Sequence, residues 1–424
     1  MQLLHFADTH FGTENYGRID PETGLHTRLQ DFAHCLDRVV QIGLERGVDA
    51  VLFAGDAYRT ATPTPTWQQV FAAGVRRFVE AGIPVVMVTG NHDLPVSYGR
   101  ATALDIFATF NPDLVTVARR PGLVRIATKS GPLQVACLPW PSRGQLVADE
   151  ALAAEGEQKL REQLEGFVVA RLKLMAAELE PRLPGVLLAH LSAADAVFSG
   201  SERTMLGAAD PALSRGALAE ARYDYVALGH IHRHQNLNPD SRPPVVYCGS
   251  LERIDFGEHA ETKGCCLVTI GEGDTPAARD AKYEFIPLPA RPFVAIELNV
   301  PAAADATPWM VEQLDGYEVR EAVVRVRYRC DDEQERALDH RAVRAALREA
   351  HCVAGLVRER EAEARKVRVE ITEHLGLLDA LGRYLDTKPE LEPWREAVTA
   401  AAAELEARLQ AVELGVDGQV LAEG

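Results

Sequence analysis

Short runs of apolar and β-branched residues recur through the first two thirds of the chain: VDAVLFAG, IPVVMVTG, LQVACLP, GVLLAH, YDYVALG, PPVVYCG and GCCLVTI. Each is bounded by Gly or Pro, the pattern of short buried strands. A further apolar run, Leu3, Leu4 and Phe6, opens the chain. Between the early runs, residues 32–46 and 67–81 follow a helical period, and strand, helix, strand alternation implies a layered α/β domain. That domain is expected over residues 1–275, with a helical stretch near 148–180 on its flank.

After GEGDTPAARDAK the texture changes. FVAIELNV and AVVRVRYRC alternate as strands and HRAVRAALREAHCV has helical spacing, so residues 280–371 read as a small α+β domain. Residues 372–424 read as a helical segment, with Leu391, Val398, Leu405 and Val412 seven apart and Trp394 on the same stripe. No internal repeat is evident.

Composition narrows the picture. At 424 residues, two or three domains are expected. A formal charge of -17 gives no global basic footprint for nucleic acid. A local cationic surface or bound divalent ions can reverse that sign inside an acidic cleft. The seven scattered cysteines form no CxxC pair, which fits a reducing cytoplasm better than a disulfide framework. No basic and apolar leader opens the chain, and no run approaches the length of a membrane span.

Metal-ligand residue types sit just after five of the expected strands: Asp8 and His10; Asp56; Asn91, His92 and Asp93; His190; and His230 and His232. Loops at the carboxyl ends of strands in an α/β sheet converge on one crevice. In extended backbone, residues i and i+2 face the same way, so Asp8 with His10, and His230 with His232, can each direct two ligands to one point. Asp56 can bridge two cations about 3.5 to 4 Å apart. Taken singly, DTH is a capped turn, GD follows many strands and His190 is an ordinary core histidine. In order, each behind a strand, they read as a dinuclear site whose mixed N/O donors suit manganese, iron or zinc.

The order DxH, GDxxx, GNHD, H, GHxH resembles the calcineurin-like metallophosphoesterases. With GDAYR before TPTP, YCGSLERIDFGEHAETKGCCLVTI and LDALGRYLDTK, the chain is similar to the SbcD-type nuclease subunits within that family. The resemblance implies a four-layer α/β/β/α sandwich, a small α+β capping domain that binds DNA, and a helical C-terminal tail. It further implies two divalent ions, Mn2+ being expected. Asp8, His10, Asp56 and His232 would hold one; Asp56, Asn91, His190 and His230 the other. His92 would contact the scissile phosphate and protonate the leaving 3' oxygen, with Asp93 orienting its ring. The implied partners are DNA, the SbcC ATPase docked on the C-terminal helices, and a second copy of the chain within a heterotetramer. The implied activity is 3'-5' double-strand exonuclease and single-strand endonuclease action in DNA repair and recombination, in the cytoplasm.

Relatives often carry His or Asp at the last GDxxx position, where this chain has Arg59. It reads either as a bidentate phosphate partner or as a capped surface turn. His234 reads as solvated. Arg325, Arg327 and Arg329 share one strand face, either solvated or tracking a nucleic-acid backbone. A stand-alone phosphoesterase on a nucleotide or phosphoprotein, and a non-catalytic repair scaffold, remain as rival readings.

Overall fold

The structure is a computed structural model that describes residues 1–95, 100–142, 157–200, 210–359, 377–386 and 389–413. Met1–Arg358 forms one compact unit and Glu359–Gly424 another.

In chain order the strands of the first unit begin with β1 (Gln2–Phe6), β2 (Ala50–Phe53), β3 (Val85–Val88) and β4 (Val115–Ala118). β5 (Gly122–Thr128) and β6 (Gly131–Leu138) form a hairpin, followed by β7 (Gly185–His190) and the short pair β8 (Ser192–Ala193) and β9 (Ala212–Leu213). Then come β10 (Tyr225–Gly229), β11 (Gln235–Asn236), β12 (Val245–Tyr247), β13 (Gly264–Thr269) and β14 (Lys282–Pro287). One six-stranded sheet runs β14-β13-β1-β2-β3-β4, the other β11-β12-β10-β7-β6-β5. In each, the four consecutive strands β1 to β4, and β12-β10-β7-β6, are mutually parallel.

Side-chain alternation shows how the layers stack. On β1, Leu4 and Phe6 join a core under α1 (Thr27–Glu45) and α2 (Pro65–Glu80), while Leu3 and the following Ala7 face the other way. Leu3 and Ala7 share a second core with Val135, Val186, Leu188 and Tyr225 of the opposing sheet. The outer face of that sheet, with Leu187, Ala189, Val226 and Leu228, packs on Val168, Leu172 and Met175. Those three lie on α4 (Glu157–Glu178), which follows the short helix α3 (Asp105–Phe110). The result is helix, sheet, sheet, helix, the four-layer sandwich expected. Strands buried on both faces read as continuous apolar runs for this reason. The helix expected near 148–180 starts, among the described residues, at Glu157; residues 148–156 lie outside them.

α1 begins earlier than residue 32 because the side chain of His26 caps it, accepting from the Arg28 amide. α2 begins at Pro65, whose fixed φ suits a first helical position. The short helices α5 (Arg215–Leu218) and α6 (Pro276–Arg279) complete the sandwich. Arg279 of α6 is buried in a two-pronged contact with Asp224, 2.9 and 3.1 Å, just before β10.

β15 (Phe293–Asn299), β16 (Val323–Arg329) and β17 (Cys352–Arg358) make a parallel three-stranded sheet. Its Ile296, Val324 and Val326 pack with Met310 and Leu314 of α7 (Ala306–Leu314). After α8 (Asp332–Ala337), α9 (His340–Ala346) adds Val343. Its other face sets Phe293 and Val323 against Phe256. Arg291 fixes this sheet to α1 through a bidentate pair with Asp31, 2.8 and 2.6 Å. Arg325 lies with its guanidinium 4.1 Å over the Phe256 ring, so the arginine face expected on β16 is partly turned back onto the sandwich.

In the second unit, α10 (Leu377–Asp386) and α11 (Arg395–Glu413) are described. Trp394, Val398 and Leu405 of the expected stripe are exposed. Among the described residues no helix is long and apolar enough to cross a membrane.

Candidate metal centre

Every expected ligand follows, or ends, a parallel strand: Asp8 and His10 after β1, Asp56 after β2, Asn91 after β3, His190 closing β7, and His230 and His232 after β10. The backbone is strained where these side chains turn inward. Asp8, His10, Asp56 and His230 hold left-handed φ values of 53, 39, 57 and 99°. For residues other than glycine such values are uncommon, and four at one crevice mark a site whose geometry is imposed by its surroundings. Gly90 permits the approach of two loops, since a Cβ there would fall 2.0 Å from Oδ1 of Asp56.

Three groups of donor atoms result, one of them joining His92 to His10 and Asp56, the other two made of expected ligands. Asp8, His10 and His232 present ligand atoms within 4.8 Å of one another, and so do Asp56, His190 and His230. Nε2 of His10 and Nε2 of His232 lie 3.0 Å apart. Oδ2 of Asp56 stands 3.7 Å from Nε2 of His10 and 3.3 Å from Nε2 of His190, so this carboxylate faces both groups. Oδ1 of Asn91 is 3.1 Å from Nε2 of His190 and 3.3 Å from Nδ1 of His230.

The donor chemistry fits cations. Nδ1 of His190 is 2.6 Å from the Ala54 carbonyl and so carries the hydrogen, which leaves the Nε2 lone pair aimed at the oxygens of Asn91 and Asp56. Three acceptors meeting in a buried crevice require a positive charge between them. Nδ1 of His10 and Nε2 of His230 are buried without a hydrogen-bond partner. Burial opposes ionisation of Asp56, but His190, His92 and His10 outweigh it and hold its carboxyl well below the usual range. Burial pushes Asp8 up to about 7 against the pull of His190 and His232. Burial likewise holds His10 and His230 neutral. His190 resists burial because of Asp56 and Asp8, which raise it to about 9, so a proton takes the place of a cation there when none is bound.

A family model described as calcineurin-like phosphoesterase matches residues 1–234, a span that contains all seven of these Asp, Asn and His residues. The chain belongs to the calcineurin-like phosphoesterase family. Among curated proteins, it is 27% identical over 280 residues to the SbcD subunit of nuclease SbcCD from Bacillus subtilis (strain 168), covering 65% of this chain and 67% of that one. It is 29% identical over 323 residues to the protein of the same name from Rhodobacter capsulatus, covering 72% and 73%. A solved structure described as a dimetal phosphatase from Danio rerio is 11% identical, covers 63% of this chain and 92% of that one, and has a TM-score of 0.38, too low to argue from. Family and geometry together make this calcineurin-like phosphoesterase a metal-dependent hydrolase with a dinuclear divalent-metal site.

The phosphoesterase loops differ from expectation at two positions. Asp93 does not hold the ring of His92. Nδ1 of His92 instead lies 2.9 Å from the carbonyl of Arg59, to which it donates, leaving Nε2 at the mouth of the crevice. Asp93 is buried and accepts three backbone N–H groups, those of Asp56 and Gly90 at 2.9 Å and of Ala57 at 3.1 Å. The left-handed turn at Asp56 and the bare Gly90 bring those amides together. Burial and the nearby Asp56 charge push the Asp93 carboxyl up to about 7, against the pull of the Gly90 and Asp56 N–H groups, which favour the anion. His234 is not solvated but half-buried, its ring 4.0 Å from that of Phe285 and stacked on it. Arg59 is half-buried, and its charge contributes to holding His10 neutral.

Two neighbours of the site were not anticipated. Trp140 is buried with its ring 4.8 Å from that of His230 and 5.9 Å from that of His190, walling the second group. It follows β6, so the rule that strand ends carry the site would have found it. Glu258 lies behind His232, inside the GSLERIDFGE run that helped mark the resemblance.

Proposed function

We propose that this chain is a metal-dependent DNA nuclease subunit that works with an SbcC-type ATPase in DNA repair and recombination. The observation that carries the reading is the alignment with the SbcD subunits of two SbcCD nucleases, which in one case extends over 323 residues, well past the matched phosphoesterase region. In this reading Asp8, His10, Asp56 and His232 hold one ion and Asp56, Asn91, His190 and His230 the other, with Mn2+ the expected metal. When bound, a metal pair supplies a hydroxide at neutral pH and neutralises charge building on the phosphoryl oxygens.

The chain's own groups do the rest. The carbonyl of Arg59 fixes the Nδ1–H of His92 and turns Nε2 toward the crevice, where a protonated ring can give its hydrogen to the leaving 3' oxygen. Arg59 itself can grip a phosphate with its planar fork. In this reading the one site cleaves duplex exonucleolytically in the 3'-5' direction and single strands endonucleolytically. The exposed Trp394, Val398 and Leu405 on and next to α11 offer the ATPase partner an apolar stripe. Ile106 and Phe110, exposed one turn apart on α3, offer a second copy of the chain a contact within a heterotetramer. A cytoplasmic location accords with these partners.

The decisive experiment is a manganese-dependent cleavage assay on end-labelled double- and single-stranded DNA, with and without the ATPase partner. Cleavage that requires metal is expected. No cleavage alongside turnover of a small phosphodiester would replace this reading with a stand-alone phosphoesterase.

A further inference from the structure

The proposed ligand histidines are not supported alike. His190 rests its Nδ1–H on a neutral carbonyl, that of Ala54. His232 rests its Nδ1–H on a carboxylate, Oε1 of Glu258 at 2.8 Å. Glu258 closes a short 3-10 turn, Phe256–Glu258, at the end of GSLERIDFGE. Its other oxygen is 2.7 Å from Nζ of Lys263 and accepts the Ile254 amide at 3.0 Å. Lys263 spends its remaining donors on Glu261 at 2.9 Å and on the backbone carbonyl of His232 at 3.1 Å. Glu258 and Lys263 have no side-chain exposure.

A buried lysine and glutamate are costly unless every donor and acceptor is met, and here every one is. The ammonium keeps Glu258 an anion and ties it to the same histidine from the backbone side. A carboxylate behind an imidazole fixes its tautomer and makes the far nitrogen a better donor. Nε2 of His232 is that far nitrogen, and it faces Nε2 of His10. Behind His190 the direct partner is the Ala54 carbonyl, with Oδ1 of Asp8 no nearer to Nδ1 than 4.0 Å, and Nδ1 of His10 is buried without a partner among the described residues. The two positions therefore differ in what backs them, although they share Asp56.

We propose that the Glu258–Lys263 pair is a positioning element for His232 that sets the affinity of the first ion and leaves the second unaffected. The inference rests on the ligand sets given under Proposed function.

The test uses the full chain, Mn2+ alone as the probe, and two variants, Glu258→Gln and the doubly neutral Glu258→Gln with Lys263→Met. The double variant guards against a buried unpaired ammonium unfolding the protein, and its metal-free melting is compared with wild type. Calorimetric titration should show one of two ions weakened about 10- to 100-fold with the other unchanged. At two equivalents of Mn2+, electron paramagnetic resonance should pass from a spin-coupled pair toward an isolated-ion spectrum, which a general loss of packing would not produce. Two ions bound at wild-type affinity by the folded double variant, or both weakened equally, would overturn the proposal. Asp8→Ala separates the two levels: if that variant also keeps both ions, the ligand assignment has failed; if it loses one while the Glu258 variants lose none, only the role of Glu258 has failed.

Discussion

Replacing Asp93 tests the loop architecture directly. Asp93→Ala strands three buried amides, those of Asp56, Ala57 and Gly90, that now share one carboxylate. Each unsatisfied buried donor costs about 1 to 3 kcal/mol, so local opening of the two loops should become easier by roughly 3 to 9 kcal/mol, less whatever entering water restores. Asp93→Asn keeps one acceptor but aims an NH2 group at a backbone N–H, and should lose about 1 to 3 kcal/mol by the same reasoning. The assay is hydrogen exchange of metal-free protein, read on peptides spanning residues 54–60 and 88–92. Because a factor of ten corresponds to about 1.4 kcal/mol, the alanine variant should exchange there at least about 100-fold faster, with distant strands unchanged. Wild-type protection in those peptides would refute the tie. If Asp93→Ala instead behaved as His92→Ala, with full protection, both ions held and hydrolysis lost, the ring-orienting role expected from the sequence would be restored.

His92→Ala should keep two bound ions by elemental analysis yet lose about 10²- to 10⁴-fold in phosphodiester hydrolysis, and retained turnover would remove His92 from the reaction. Asp8→Ala should bind one ion fewer with an unchanged far-ultraviolet spectrum; two ions at wild-type affinity would break the ligand set. Asp8 is pushed up to about 7 by burial from an ordinary 3.8, so the metal-free fold holds a proton that the unfolded chain releases, and stability falls as pH rises through that interval. Ion binding needs the ionised carboxylate and a neutral His190, itself raised to about 9. The gain in Tm from Mn2+ should therefore grow from about pH 5.5 to about pH 8.5, and a pH-independent gain would contradict the proton competition. Truncation after Asp386 removes α11 and should abolish co-purification with an SbcC-type ATPase while sparing turnover of a small phosphodiester; unchanged co-purification would reject the stripe as the docking surface.

The buried strands were legible because burial on both faces writes itself as unbroken apolar runs: β2, β3, β6, β7, β10, β12 and β13 all fall on the runs that marked them. Edge strands were not. β5, GLVRIAT, and β14, KYEFIP, are half-exposed and interrupt their apolar residues with Arg, Lys and Glu, so they look like loops until a neighbour pairs with them. The convergence of the candidate ligands was legible for a different reason. Parallel strands deliver their carboxyl ends to one rim, and ligand chemistry demands Asp, Asn or His at that rim whatever the intervening sequence.

What sits behind the ligands obeys no such spacing. Asp93 adjoins His92 in sequence, which invites pairing the two, but the left-handed turn at Asp56 lies 37 positions away and takes the carboxylate instead. Glu258 reaches His232 across 26 residues, through a 3-10 turn whose capping by Asp255 is local while its purpose is not. A ligand can be found from its own strand because its chemistry and its place on the sheet coincide. A supporting residue is chosen by whichever ligand nitrogen or loop amide would otherwise be left unmet, and that need exists only once the two sheets have closed on each other. The same logic holds inside GSLERIDFGE, where two acidic residues meet polar groups on elements the motif never adjoins, Glu252 the Arg291 amide and Glu258 the His232 ring.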